Sequence, residues 1–165
     1  MNYNIRPCTI EDSEVLAKTI RKSFRNVAER FGLTAENAPR HSSNCTVEWI
    51  KKDMARGANY FVIENEKSVA GCAALEQASS DICYLERLAV LPEYRQRGFG
   101  KALVTHLLFQ AKLLGVHFVK IGIIAGHKEL KTWYERIGFV EEESKEFSHL
   151  PFRVTFMSCK LENNC

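Results

Sequence analysis

The chain has 165 residues, of which 45% are apolar or aromatic, and carries a formal net charge of +3. That is enough apolar material for one well-formed core and too mild a charge for a nucleic-acid surface, which the basic residues do not support by clustering either. No apolar run approaches the roughly 18 to 20 residues that cross a bilayer, and there is no repeat or low-complexity tract, so a membrane span and a fibrous or disordered chain are excluded.

In chain order, Asn4 to Cys8 reads as a first strand, and Thr9 with Asp12 has the spacing of a capping box that opens a helix. Leu16, Ile20, Phe24, Val27 and Phe31 give that helix one apolar face, and Gly32 stops it. Leu33 to Asn44, with Pro39 and several Ser and Asn, is a loop before a short helix from about Thr46 to Ala55. Tyr60 to Glu64 and Val69 to Leu75 form a hairpin around the polar turn Asn65 to Ser68. A long strand, Ile82 to Val90, is followed by a helix that runs to Gly115, a strand over Phe118 to Ile124 and a helix around Leu130 to Ile137. Glu141, Glu142, Glu143 and Glu146 make an acidic run, which fits a solvated strand face or an attraction for cationic amines. Arg153 to Lys160 alternates like a final antiparallel strand. The order predicts a single α/β domain over residues 1–165, with a mixed sheet.

The segment Leu88 to Leu103, LAVLPEYRQRGFGKAL, is the most informative. Pro92 ends the strand ladder by removing an N–H, and Leu103, Leu107, Ala111 and Leu114 then recur at helical spacing, so Gly98 and Gly100 sit at a helix N-terminus. Such a terminus leaves about four backbone N–H groups unpaired and carries roughly half a positive charge. Glycines there allow close approach, and Arg95, Arg97 and Lys101 add charge, which predicts a site for a pyrophosphate or polyphosphate. A dinucleotide fingerprint would need Gly or Ala at Leu103. A Walker loop would need Gly at Arg95 and Ser or Thr at Ala102.

The remaining spelling, Val90-x-Pro92 followed by Arg95-x-x-Gly98-x-Gly100, resembles the coenzyme A pyrophosphate loop of the GNAT N-acetyltransferase superfamily. A second block, Glu129 to Phe139 (ELKTWYERIGF), resembles that family's late helix ending in a tyrosine and a Gly-Phe pair. The resemblance implies a mixed, mostly antiparallel sheet splayed in a V around the cofactor and flanked by about four helices. It also implies acetyl-CoA as co-substrate and direct transfer of an acetyl group to a primary amine of a small molecule, amino acid, peptide or protein. The cofactor wall it implies consists of Leu88, Ala89, Val90, Arg95, Gln96, Arg97, Gly98, Phe99, Gly100, Lys101, His127 and Trp133. In that wall the strand backbone near Ala89 and Val90 pairs with the pantetheine arm and holds the reacting carbonyl, and His127 stands where the family commonly has an asparagine.

Two side chains are candidates for proton transfer. Period-two alternation puts Glu86 in line with Tyr84, Leu88 and Val90 on a largely apolar face, where a charge wants an explanation, and by resemblance it is the base that takes the amine proton. An ion pair with Arg87 or Arg95, or a bulge that turns it to solvent, would also account for it. Tyr134 shares a helix face with Leu130 and Ile137 and is by resemblance the acid that protonates the departing sulfur; as an ordinary core aromatic it would need no such role.

Six cysteines without a CxxC pair, and an N-terminal MNYNIRPCTI without an apolar signal core, predict free thiols and a cytoplasmic setting. His41 and Cys45 have no second pair to complete a metal site, so no metal is expected. Neither Cys72 nor Cys83 has a histidine at a diagnostic spacing for an acyl carrier. No nucleic acid or membrane partner is expected, a homodimer is open, and the rival functional class is an acyl-CoA sensor that does not catalyse transfer.

Overall fold

The computed structural model describes residues 2–162. Seven strands form one sheet in the order β1-β2-β3-β4-β5-β7-β6. They are β1 (Tyr3–Pro7), β2 (Asn59–Asn65), β3 (Ser68–Gln77), β4 (Ile82–Val90), β5 (Phe118–Ile124), β6 (Val140–Lys145) and β7 (Val154–Lys160), with four helices, α1 (Ser13–Phe31), α2 (Val47–Ala55), α3 (Phe99–Leu113) and α4 (Lys128–Ile137). Every neighbouring pair is antiparallel except β4 with β5. Among the described residues no helix is long and apolar enough to cross a membrane.

The local signals act where they occur. The capping box at Thr9 and Asp12 closes a 3-10 turn that runs into α1, and Gly32, at φ 64°, ends that helix in the left-handed conformation that a residue without Cβ adopts freely. Thr46 caps α2 by accepting from the Trp49 N–H at 3.3 Å. The β2–β3 hairpin turns on Glu66 and Lys67, both at positive φ, as a two-residue turn requires. The edge strand β6 carries Glu141, Glu142 and Glu143 on its exposed surface, paired with Lys131, Lys120 and Lys145.

Two cores flank the sheet. Leu103, Val104 and Leu107 of α3, with Tyr134 of α4 and Phe139, bury one face. Leu16, Ala17 and Ile20 of α1 and Ile50 of α2 bury the other against Tyr60, Val62, Cys72 and Ala89.

Two departures from a regular sheet create the space in which a ligand can bind. β4 and β5 pair only from Ile82–Phe118 to Tyr84–Lys120, although β4 continues to Val90 and β5 to Ile124. Beyond Tyr84 the strands part, so the splayed V expected from the family resemblance is present, and the β5-facing edge of β4 has no strand partner there among the described residues. The second departure is a bulge. Cys72 faces Ala89 but Ala74 faces Glu86, so Arg87 and Leu88 together oppose Ala73, and Arg87 takes φ 52°.

The bulge corrects the expected alternation. Leu88 and Val90 pack against the α3 side with Leu85 and Cys83, whereas Ala89 and the Ala74 opposite Glu86 belong to the α1–α2 side. Glu86 is therefore not in line with Leu88 and Val90: one extra residue reverses the parity of every side chain after it.

Gly71 sits opposite Val90, and a Cβ added there would lie 2.4 Å from the Ala89 carbonyl oxygen. Gly71→Ala is expected to cost about 3 kcal/mol of stability by forcing the two strands apart, read from urea unfolding; a loss below about 1 kcal/mol would show that the strands adapt freely.

Candidate active site

The open part of the V holds two adjoining cavities. The first, about 450 Å³, lies between β4, the loop after it, α1 and α4; Leu88, Ala89 and Val90 form one wall, Arg95, Gln96, Gly98, Phe99, Gly100 and Lys101 the floor, and His127, Leu130 and Trp133 the far side. The second, about 670 Å³, is lined by Glu86, Arg87, Asp53 and Tyr134 together with β5 and the loop after α1. Phe24, Val27, Leu88, His127 and Leu130 line both, so the two spaces meet beside the β4 bulge.

The floor of the first cavity is built for an anion. Gln96 at φ 62° and Gly98 at φ 84° turn the chain into α3, and the backbone N–H groups from Gln96 to Lys101 have no backbone acceptor outside the helix among the described residues. A Cβ on Gly100 would stand 3.2 Å from the Trp133 ring, so a larger residue there would push the indole back by a few tenths of an ångström. Arg95 anchors the loop: its Nε donates to the Val90 carbonyl at 3.1 Å and its Nη2 to the Ser23 carbonyl of α1 at 2.6 Å. Arg97 stands off the cavity wall, with its guanidinium 5.6 Å from the centre of the Tyr94 ring. Lys101 and the helix terminus thus supply the positive potential at the floor itself.

Two buried polar atoms on these walls lack a partner among the described residues, Ser23 Oγ in the first cavity and His127 Nδ1 where the cavities meet. His127 is the N-cap residue of α4 but makes no side-chain cap bond. Burial, followed by the charge of Arg30, keeps its basicity below that of free histidine, so the ring is neutral near pH 7. Nearby, Arg30 of α1 grips Glu129 of α4 in a two-point ion pair at 2.5 and 3.1 Å.

In the second cavity Glu86 has no ion-pair partner among the described residues. Burial first, and then the charge of Glu76, push its carboxyl above the ordinary carboxylate range. Tyr134 is 4% exposed, with its ring packed on Trp133 and Phe139, and burial pushes its hydroxyl up. Arg87 pairs with neither Glu86 nor solvent carboxylates but with Asp53 of α2, its Nε 2.9 Å from Oδ2. The same carboxylate accepts from the Tyr60 hydroxyl and from Arg56 Nη2 at 3.1 Å. Burial alone would raise the Asp53 carboxyl; the bonds from Tyr60, Arg87 and Arg56 outweigh it and leave it below the ordinary range.

A family model for the acetyltransferase (GNAT) domain matches residues 56–141, which run from the end of α2 into β6 and include the bulged strand and the anion loop. The chain is 30% identical over 138 residues to the uncharacterized N-acetyltransferase YjgM of Escherichia coli K12, covering 82% of this chain and 80% of that protein. The chain belongs to the GNAT acetyltransferase family. The [ribosomal protein bS18]-alanine N-acetyltransferase of E. coli K12 is 31% identical over 98 residues, covering 56% of the chain and 65% of that protein. The structure of yncA from Salmonella typhimurium, solved with its cofactor acetyl-CoA, superposes with a TM-score of 0.71 at 19% identity over 100% of this chain and 97% of that one.

As a GNAT N-acetyltransferase the protein moves an acetyl group from acetyl-CoA to an amine. The first cavity fits that co-substrate on its own evidence: unpaired N–H groups for the pyrophosphate, a glycine where the wall must be thin, and orphaned polar atoms along the sides.

Most of the residues named from sequence come together here, but in two groups: the cofactor-wall residues except Arg97 around the first space, Glu86 and Tyr134 around the second, with Leu88 and His127 shared. Sequence reading passed over Asp53, Arg56 and Arg87 as site residues, and Ser23, Phe24 and Val27 of α1. An arginine amid apolar strand residues was the one available signal. Asp53 is buried with three donors on it, so Asp53→Ala should cost about 3 to 5 kcal/mol by stranding Arg87 and Tyr60, measured by chemical unfolding. A loss within about 1 kcal/mol would mean the network relaxes without it.

Proposed function

We propose that transfer is direct, with both substrates bound at once. The observation that carries this is the meeting of two cavities at the open edge of β4, one with an anion floor and one with a raised-pKa carboxylate and a buried phenol. When bound, acetyl-CoA supplies a thioester acetyl group and a thiol leaving group. The first cavity's wall orients it: the N–H groups from Gln96 to Lys101 hold the pyrophosphate, the unpaired edge of β4 near Ala89 and Val90 holds the arm and the carbonyl oxygen, and His127 and Trp133 close the side.

Glu86 then takes a proton from the acceptor ammonium, which frees the nitrogen lone pair. The C–N bond forms as the C–S bond breaks, and Tyr134 gives its proton to the sulfur; the nitrogen then loses its second proton, which restores the Tyr134 phenol through water, and Glu86 returns its own proton to solvent. A neutral phenol suits that role, because its raised pKa keeps the proton in place until a thiolate needs it. A covalent cysteine carrier has little support: burial raises the thiol pKa of Cys72, and Cys83 is packed in the α3-side core. Five free cysteines among the described residues accord with a cytoplasmic setting.

The relative that acts on the alanine of a ribosomal protein supports an amine acceptor without fixing its kind. Tyr134→Phe should lower kcat about a hundredfold while acetyl-CoA affinity, measured by calorimetry, stays within about twofold; an unchanged kcat would remove Tyr134 as the acid.

Glu86 acts as a base only when ionised, so kcat/KM should fall as pH drops through a value above the ordinary carboxylate range. Glu86→Gln should lower kcat/KM about a hundredfold and abolish that acid limb. A limb that persists in the variant would assign the base elsewhere, with His127, which lines both cavities, the next residue to replace.

A further inference from the structure

The second cavity holds three arginines, Arg40, Arg56 and Arg87, against two carboxylates, Asp53 and Glu86. Arg56 is occupied: its Nε is 2.6 Å from Glu76 Oε1, and its Nη2 is 3.1 Å from both Glu76 Oε2 and Asp53 Oδ1. Arg87 is only half occupied. Its Nε meets Asp53 and its guanidinium lies 5.4 Å from the centre of the Trp49 ring, yet Nη1 and Nη2 have no acceptor among the described residues, and neither is buried. With the side chain 19% exposed, those donors open into the cavity. Arg40, on the loop after α1, makes no ion pair among the described residues and lines the same space.

The bulge makes this arrangement possible. In a regular strand Glu86 and Arg87 would point to opposite faces; here a left-handed residue brings an unpaired carboxylate and a half-free guanidinium, adjacent in sequence, into one cavity. A group that must be gripped by an arginine fork while its amine approaches a carboxylate is a zwitterion.

We propose that the acceptor is a free amino acid whose carboxylate is held by the free Nη groups of Arg87, with Arg40 beside it, and whose amine faces Glu86. This rests on the acetyl-transfer reading and narrows its substrate. A lysine side chain or polyamine would bring positive charge beside Arg40 and the half-occupied Arg87 with no acceptor to offer their free donors, and the terminus of a longer peptide has no carboxylate on the carbon that bears its amine. The opposite wall, with Ile121, Ile123, Phe152 and Val154, is apolar, so an aliphatic or aromatic side chain fits best.

The test measures thiol release from acetyl-CoA with leucine, methionine and phenylalanine, each beside its carboxamide and its decarboxylated amine. The best amino acid should exceed its carboxamide and its amine by about a hundredfold in kcat/KM. Arg87→Gln and, independently, Arg40→Gln on the exposed loop should each shrink that ratio below about tenfold while acetyl-CoA binding, followed by calorimetry, is unchanged. If Arg87→Gln does not fold, Arg87→Lys, which keeps the charge and loses the fork, together with Arg40→Gln decides the matter. Carboxamides or simple amines that match the acids, or a ratio that survives in the variants, would overturn the proposal. So would turnover of peptide or polyamine amines with none of the amino acids, which would leave acetyl transfer standing. A folded protein that does not bind acetyl-CoA would remove both readings.

Discussion

Asp53 of α2 reaches across to Arg87 of β4, and that ion pair secures a non-glycine residue in a left-handed backbone conformation in the middle of the sheet. A side chain at φ 52° is disfavoured, by about 1 to 3 kcal/mol when the surroundings do not compensate. Here they do: the guanidinium has a buried carboxylate at its Nε and a tryptophan ring nearby, and the carboxylate is satisfied by Tyr60 and Arg56 as well. The α2 helix, otherwise a short cover for one end of the sheet, thereby becomes a buttress for the site.

The bulge has consequences on both faces. Toward α3 it lets Leu88 and Val90 join the core that also holds Leu103 and Leu107, so the strand end is firmly packed where the cofactor wall begins. Toward α1 and α2 it leaves Glu86 desolvated, which is what raises its pKa. Because β4 and β5 part beyond Tyr84, the backbone edge near the bulge faces the open cleft instead of a strand. A single extra residue and a lost strand pairing therefore account for the cleft, the carboxylate and the exposed edge together.

The anion floor depends on a different contact. Arg95, which by its charge invites a phosphate role, spends two of its donors on the Val90 and Ser23 carbonyls, tying the loop to both β4 and α1. Its charge still contributes to the potential, but its geometry is that of a clasp. The N–H groups without backbone acceptors and the thin wall at Gly100 against Trp133 border the same cavity.

Much of this was legible in the residues. The boundaries of β4 and β5, the Thr9–Asp12 capping box, the Gly32 stop and the glycine loop are written in local spacing, because caps, glycines and periodicity act over a few residues. The strand β6 was harder to read, since its glutamates face water and give no alternation. Glu86 and Tyr134 could be named, but not the face on which Glu86 lies: parity along a strand fails at a bulge, and nothing local marks Arg87 as left-handed, since neither Gly nor Asn stands there. The sequence by itself determined the elements other than β6, the anion loop and the family resemblance, all of them matters of short-range pattern. The tertiary structure alone decided that Asp53 and Arg87, 34 positions apart, share a proton-bearing contact, that the sheet opens at Tyr84, and that two cavities meet beside Glu86. Those depend on which distant groups must satisfy one another once they are taken out of water.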